Sequence, residues 1–310
     1  MPETRYFVLP DQRQVAYGIY GAQDAPSTVF YFHGCPSSHH EAFLLSEAGR
    51  RHGLRIIAPS RPGSGGSAFR ENGTLLEYAD DVLALADHLG VPRFGIVAVS
   101  GGAPYAFACR KRIPRARLAA VGIVAGIYPV TSLGTAGMKL PSRVMLRLAT
   151  WFPTIVAWAI DRQLGAVARD EDGKKKLEAL LVADMQQEAT WESDKRAWEA
   201  AAPEAREAVV MGIREGVRYG GRGPAWEMKL YASHWGFELE EVRPGHENEL
   251  VLWHGDLDAN VPLAMAQKAA RQLGPDAGLR VVEGQGHGAL TFHKADEIIS
   301  TMRDNMLRAI

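Results

Sequence analysis

The sequence predicts an α/β protein: a mainly parallel, eight-stranded sheet flanked by helices, with a helical segment inserted in the middle of the chain. Three observations carry that expectation. Short continuous apolar runs such as TVFYFH (28–33), FGIVAV (94–99) and ELVLWHG (249–255) have the pattern of strands buried on both faces. Stretches with helical spacing alternate with them, so the connections read as βαβ crossovers. Between Pro129 and Trp235 the alternation stops and no strand-like run occurs.

Taken in order, RYFVL (5–9) and RQVAYGIY (13–20) read as a hairpin at a sheet edge, around a Pro-Asp-Gln turn. Strand 28–33 is followed by a helix over 38–52, strand LRIIAP (54–59) and a helix over 75–90. Thr74 is the candidate N-cap of that helix and Gly90 its stop. Strand 94–99, a helix over 101–112 and strand RLAAVGIVAG (117–126) complete the first half. After the interruption come strand 249–255, a helix over 262–274, strand LRVVEG (279–284) and a closing helix over 289–308.

The interruption reads as several helices broken at Pro141, Pro153, Gly165, Pro203 and Gly212. It holds six of the seven tryptophans: Trp151, Trp158, Trp191, Trp198, Trp226 and Trp235. A module this rich in tryptophan is expected to be a lid whose underside lines an apolar pocket. Trp151, Trp158, Trp226 and Trp235, with His33, are the candidate lining residues. The expected division is a core domain over 1–128 and 236–310 and a lid domain over 129–235.

Composition narrows the function classes. A charged content of 23% beside 46% hydrophobic residues describes an ordinary soluble protein with ample material for a core. A net charge of −1 gives no electrostatic reason to expect nucleic acid or an anionic membrane as partner. The basic clusters at 110–112 and 174–176 read as solvated helix faces. Two cysteines, Cys35 and Cys109, do not make a disulfide framework, so reduced thiols in a cytoplasmic protein are the expectation. The first residues lack the basic start and apolar run of a secretory signal. The most apolar longer window, 148–160, is too short to span a bilayer and contains Pro153. A monomer or homodimer without a membrane span is expected.

The stretch GIVAVSGGAPYAF (95–107) places Ser100 where a buried strand meets a helix. Serine there is either an ordinary helix cap or a nucleophile on a sharp turn. The second reading needs small residues two before and two after, and Ala98 and Gly102 meet that need. A serine hydroxyl also needs a base, and the base an orienting carboxylate. GQGHGAL (284–290) offers His287 in a glycine-flanked loop; His293, the nearest rival, lies further into the closing helix. WHGDLDANVP (253–262) offers Asp256 and Asp258. Asp258 is preferred, because Asp256 follows the strand at once and suits a bond to turn backbone. The loop over 125–134 has no carboxylate. The oxyanion of an acyl-transfer intermediate needs two N–H donors, and Gly101 and Cys35, the latter in HGCP (33–36), are the candidates. SRPGSGGS (60–67) lacks the spacing of either nucleotide-binding glycine loop. No metal-ligand spacing occurs, so no metal and no cofactor is expected.

With HGCP, SRPGSGGS, AVSGG (98–102), WHGDLDANVP and GQGHGA (284–289) in this order, the sequence resembles the α/β-hydrolase fold superfamily from about residue 13 to 308. The HGxP loop and helical lid are similar to the branch that holds epoxide hydrolases, proline iminopeptidases and C–C or lactone hydrolases. Two departures stand out. Ser60 occupies a position where the family often has Asp. Ser100 stands where epoxide hydrolases and haloalkane dehalogenases attack with a carboxylate, which argues against both activities. The reading is a serine hydrolase acting through Ser100, Asp258 and His287, and the tryptophan-rich insertion suggests a largely apolar substrate, an ester or lactone rather than a peptide. Alternatives are an iminopeptidase, whose substrate amine Glu188, Glu192 or Asp194 would hold, a C–C hydrolase, or a triad-bearing ligand receptor.

Overall fold

The eight strand-like runs become eight strands in the computed structural model, which describes residues 1–186 and 192–308. They are β1 (Arg5–Val8), β2 (Gln14–Gly21), β3 (Thr28–Phe32), β4 (Arg55–Pro59), β5 (Phe94–Val99), β6 (Leu118–Val124), β7 (Leu250–Gly255) and β8 (Ala277–Val282). They form one sheet in the order β1-β2-β4-β3-β5-β6-β7-β8. The β1–β2 hairpin lies at its edge, and β2 pairs antiparallel with both β1 and β4; the other neighbours are parallel. Strands β3, β5, β6 and β7 are buried along their whole length, the reason their sequences do not alternate.

Helices α1 (Ser46–Arg51), α2 (Leu75–His88) and α3 (Ala103–Arg112) precede the long interruption. The interruption holds α4 (Val130–Leu133), α5 (Leu140–Trp151), α6 (Pro153–Ile160), α7 (Ala166–Arg169), α8 (Gly173–Gln186), α9 (Glu192–Ala200), α10 (Pro203–Arg218) and α11 (Arg222–Tyr231). Helices α12 (Leu263–Leu273) and α13 (Ala289–Arg308) close the chain. One face of the sheet packs on α2, α3 and α12, through residues such as Val82, Phe107 and Ala266. The other packs on α1 and α13, through Ala48, Ile298 and Met302. A third apolar cluster, including Val156, Leu177, Trp198 and Val217, ties the inserted helices to one another.

Local signals explain most element ends. Thr74 caps α2 in a reciprocal box: its hydroxyl accepts from Glu77 N–H at 3.2 Å, and the Glu77 carboxylate accepts from Thr74 N–H at 2.8 Å. Other ends differ from expectation for tertiary reasons. The helix expected over 38–52 begins as a 3-10 stretch, His39–Leu45, before α1. Its entry is tied to the 60–67 loop, because His39 N–H donates to Ser60 Oγ at 3.0 Å. Ser60 O–H in turn donates to His39 Nδ1 at 2.8 Å, so the serine that departs from the family pattern makes a supporting contact of its own. Strand β8 lies two residues earlier than expected, since its pairing with β7 ends at Gly255–Val282 and Gly284 turns the chain with φ +70°.

Within the interruption, α6 and α10 start at Pro153 and Pro203, and α5 has Pro141 in its first turn, as those residues favour. Two expected breaks are absent. Gly165 ends a π-helical turn that continues straight into α7, and Gly212 lies inside α10. There it faces Ser37, where α10 packs against the 3-10 stretch. No described helix is long and apolar enough to cross a membrane.

Candidate active site

The chain reverses direction across the sheet at β3. Strand β4 lies on one side of it and β5 on the other, and such a switch leaves a crevice at the carboxyl ends of the strands. HGCP leaves β3 there and Ser100 leaves β5, from neighbouring parallel strands with Phe32 opposite Ala98. The loops carrying Asp258 and His287 leave β7 and β8 at the same, carboxyl end of the parallel strands.

Ser100 has φ +50°, a left-handed backbone that costs a non-glycine residue about 1–3 kcal/mol and persists only where its surroundings impose it. Its carbonyl accepts from Ile127 N–H at 3.1 Å. Gly102 is pressed against the sheet, so that a Cβ there would run into the carbonyl of Phe32. The turn therefore needs a small residue two after the serine. Ser100 caps nothing with its side chain. Its hydroxyl donates instead to His287 Nε2, at 2.9 Å.

The opposite ring nitrogen, His287 Nδ1–H, donates to Asp258 Oδ2 at 2.8 Å. Asp258 is buried, and its other oxygen accepts from Asn260 and Val261 N–H at 2.9 and 2.8 Å. Burial pushes this carboxyl up, but the charge and hydrogen bond of His287, then His254 and the backbone donors, hold it below the usual carboxylate range. For His287, burial works against the charged ring. The charge and hydrogen bond of Asp258, with Asp194 and Glu41 beyond, outweigh it and hold the pKa above the ordinary histidine value. His254 lies 3.4 Å behind Asp258, its Nε2–H donating to Val261 O at 2.7 Å, and burial lowers its pKa. Asp256 is exposed. So is His293, which bonds Gln285 rather than the site.

Cys35 and Gly101 both border the cavity beside Ser100, and a Cβ on Gly101 would stand 2.9 Å from Cys35 Cβ. Gly34 N–H donates to both oxygens of Glu41, at 3.1 and 3.2 Å, and Tyr31 O–H donates to the same carboxylate at 2.7 Å. Burial, then the charge of Glu227, holds the Cys35 thiol well above its ordinary pKa. The HGCP loop is held from below by Arg61, fully buried, which donates to the carbonyls of His33 and Gly34. Arg61 also makes a two-pronged pair with Glu227 of α11, at 2.9 and 2.7 Å, and Tyr231 O–H donates to Glu227 at 2.6 Å. By sequence alone 60–67 reads only as a glycine-rich bend; the arginine within it is the available signal of this second role.

A cavity of about 560 Å³ opens over Ser100 and His287. The inserted helices supply most of its apolar wall, including Met145, Leu146, Leu181, Trp198, Ile213 and Met228. The expected lining residues are elsewhere. Trp151 and Trp158 are 75% and 64% exposed, on the outer face of α5 and α6. Trp226 faces the 69–74 stretch, its indole N–H donating to Gly73 O at 2.8 Å and its ring edge-on to Phe69. Trp235 is buried against Phe107 in the core. His33 is fully buried, its Nδ1–H donating to Gly34 O and its Nε2 accepting from Arg61 N–H. Trp198 is the one described tryptophan on the cavity wall. Trp191 and Glu188 lie outside the described residues. Of the other two acids considered for an amine, Glu192 is exposed and pairs with Arg196, whereas Asp194 is buried and borders the cavity.

No curated protein matches the sequence. Among solved structures, an alpha/beta hydrolase fold protein from Nakamurella multipartita is similar over 99% of both chains, with 21% identity and a TM-score of 0.63. A thermophilic esterase from Thermogutta terrifontis is similar over 99% of both chains, with 18% identity and a TM-score of 0.60. An epoxide hydrolase from metagenomes of hot environments is similar over 99% of both chains, with 17% identity and a TM-score of 0.62. Identities this low speak for the fold alone. A sequence profile of the alpha/beta hydrolase family, however, matches residues 29–301, so the chain belongs to that family.

Proposed function

We propose that the chain is a serine hydrolase that cleaves an ester or lactone of a largely apolar small molecule. The observation that carries the reading is the continuous line from Ser100 Oγ to His287 Nε2, at 2.9 Å, and from His287 Nδ1 to Asp258, at 2.8 Å. A serine nucleophile, rather than a carboxylate, stands on the turn after β5. The apolar wall of the cavity supports an apolar acyl group.

In this mechanism His287 Nε2 takes the proton of Ser100 as its oxygen bonds to the substrate carbonyl carbon. The tetrahedral oxyanion is met by the N–H groups of Gly101 and Cys35. With Gly34 N–H directed to Glu41, the next donor along the loop is that of Cys35. As the intermediate collapses, the bond to the leaving oxygen breaks and His287 returns the proton to it. Water then gives a proton to His287 and attacks the acyl carbon; as that second intermediate collapses, the bond to Ser100 Oγ breaks, His287 returns the proton to Oγ, and the acid is released. Asp258 keeps the imidazole oriented and supports its charge throughout. Residues 129–235 act as the lid, and the protein works in the cytoplasm as a monomer or homodimer.

The test is side-by-side assay of nitrophenyl esters and a prolyl-nitroanilide, with Ser100→Ala as the background. Ester turnover lost in the variant supports the reading. Cleavage of the prolyl substrate alone would move the activity to an iminopeptidase. A small apolar ligand that raises Tm without any turnover would make the protein a receptor.

A further inference from the structure

Two side chains at the start of α9 grip the loop that carries His287. Gly286 N–H donates to Ser193 Oγ at 2.7 Å, and Ala289 N–H donates to Asp194 Oδ1 at 2.7 Å. The bonds fall one residue before and two residues after the histidine. Asp194 is only 4% exposed, and its Oδ2 is buried with no hydrogen-bond partner among the described residues. A Cβ on Gly286 would stand 2.8 Å from that oxygen, so this loop position must be glycine for the carboxylate to fit. The glycine before the histidine, conspicuous in the sequence, thus acquires a steric reason from a residue 92 positions earlier.

We infer that Ser193 and Asp194 are positioning residues for His287, fastening its loop to the inserted helices so that the imidazole meets Ser100 only while α9 is docked. The inference rests on the serine-hydrolase reading. The first N–H groups of a helix have no partner within it, and Asp194 supplies one to α13 from outside, with a negative charge at the positive end of the helix. Removing it strands a buried donor and loosens the loop. The charged and titratable groups that face His287 are Asp258 after β7, with His254 behind it, Glu41 from the 3-10 stretch, and Asp194 from α9. Asp194 therefore also supports the protonated ring.

The test is the rate at which a fluorophosphonate probe labels Ser100 in the intact protein, measured across pH. Asp194→Ala is expected to slow labelling about 10- to 100-fold through a misplaced base. Ser193→Ala is expected to slow it less. Asp194→Asn keeps an oxygen acceptor for Ala289, so its plateau rate at high pH is expected to stay near wild type. Its acid limb moves to lower pH, because the lost charge no longer favours the imidazolium. Glu192→Gln, on the exposed side of the same turn, is expected to change neither. Wild-type rates and an unshifted acid limb in all three clamp variants overturn the inference while leaving the hydrolase reading intact. Should Asp194→Ala fail to fold, Asp194→Asn and Ser193→Ala decide by the same two readouts. A wild type that takes no label sinks both readings.

Discussion

Ser100 and His287 meet across 2.9 Å, yet different kinds of structure hold them. Ser100 sits on a left-handed turn at the end of a fully buried strand, with Gly102 against the carbonyl of the neighbouring strand. His287 follows β8, the strand at the far edge of the sheet, and its loop depends on Asp258 and on two side chains from α9. Ser100 is thus positioned by the sheet, whereas His287 is held jointly by the sheet and the insertion. The HGCP loop lies between these cases: β3 delivers it, and the Arg61–Glu227 pair ties it to α11.

Substitutions separate these supports. Ser100→Ala is expected to lower kcat most, by about 10⁶-fold, since nothing else on the turn can attack. Asp258→Asn comes next at about 10⁴-fold in steady-state kinetics, with only a small loss for exposed Asp256→Asn. The reverse ranking would assign the orienting role to the wrong loop. In the wild type, kcat/KM is expected to rise with pH through a midpoint above about 6.5, the ordinary histidine value. The sign is set by the site: Asp258 favours protonated His287, and the base works only once that proton is gone, so activity falls about tenfold per pH unit below the midpoint. A midpoint below the ordinary value would show that burial outweighs Asp258.

Glu227→Gln tests the HGCP support. It leaves the Arg61 guanidinium buried without its charge partner, which costs about 3–5 kcal/mol of stability, read from denaturant unfolding. A loss under about 1 kcal/mol would mean that Arg61 is held by the two loop carbonyls alone. The smallest effect is expected at Trp151→Ala and Trp158→Ala, within about 0.5 kcal/mol and without change in KM, because both rings point away from the cavity.

The same contrast explains what could be read in advance. Strands buried on both faces announce themselves as continuous apolar runs, and Thr74 with Glu77 three residues on announces a helix start. Ser100, Asp258 and His287 each stand where a strand ends, a local feature that motif and order reveal. Arg61 and Glu227 are 166 residues apart, and Asp194 lies 95 residues before Ala289, so no local pattern joins them. The tryptophans fail as pocket markers for a related reason. The inserted helices are apolar on more than one face, and composition does not say which face meets the cavity: Trp198 turns inward while Trp151 and Trp158 turn out. Among the acids near the start of α9, sequence does not say which is buried: Asp194 is, while Glu192 is exposed.

The most direct measurement is to label the intact protein with a fluorophosphonate and locate the adduct by peptide mass. One adduct is expected, on Ser100 within GIVAVSGGAPYAF, absent from Ser100→Ala. A folded protein that takes no label, or takes it on another residue while Ser100→Ala labels at the same rate, would contradict it.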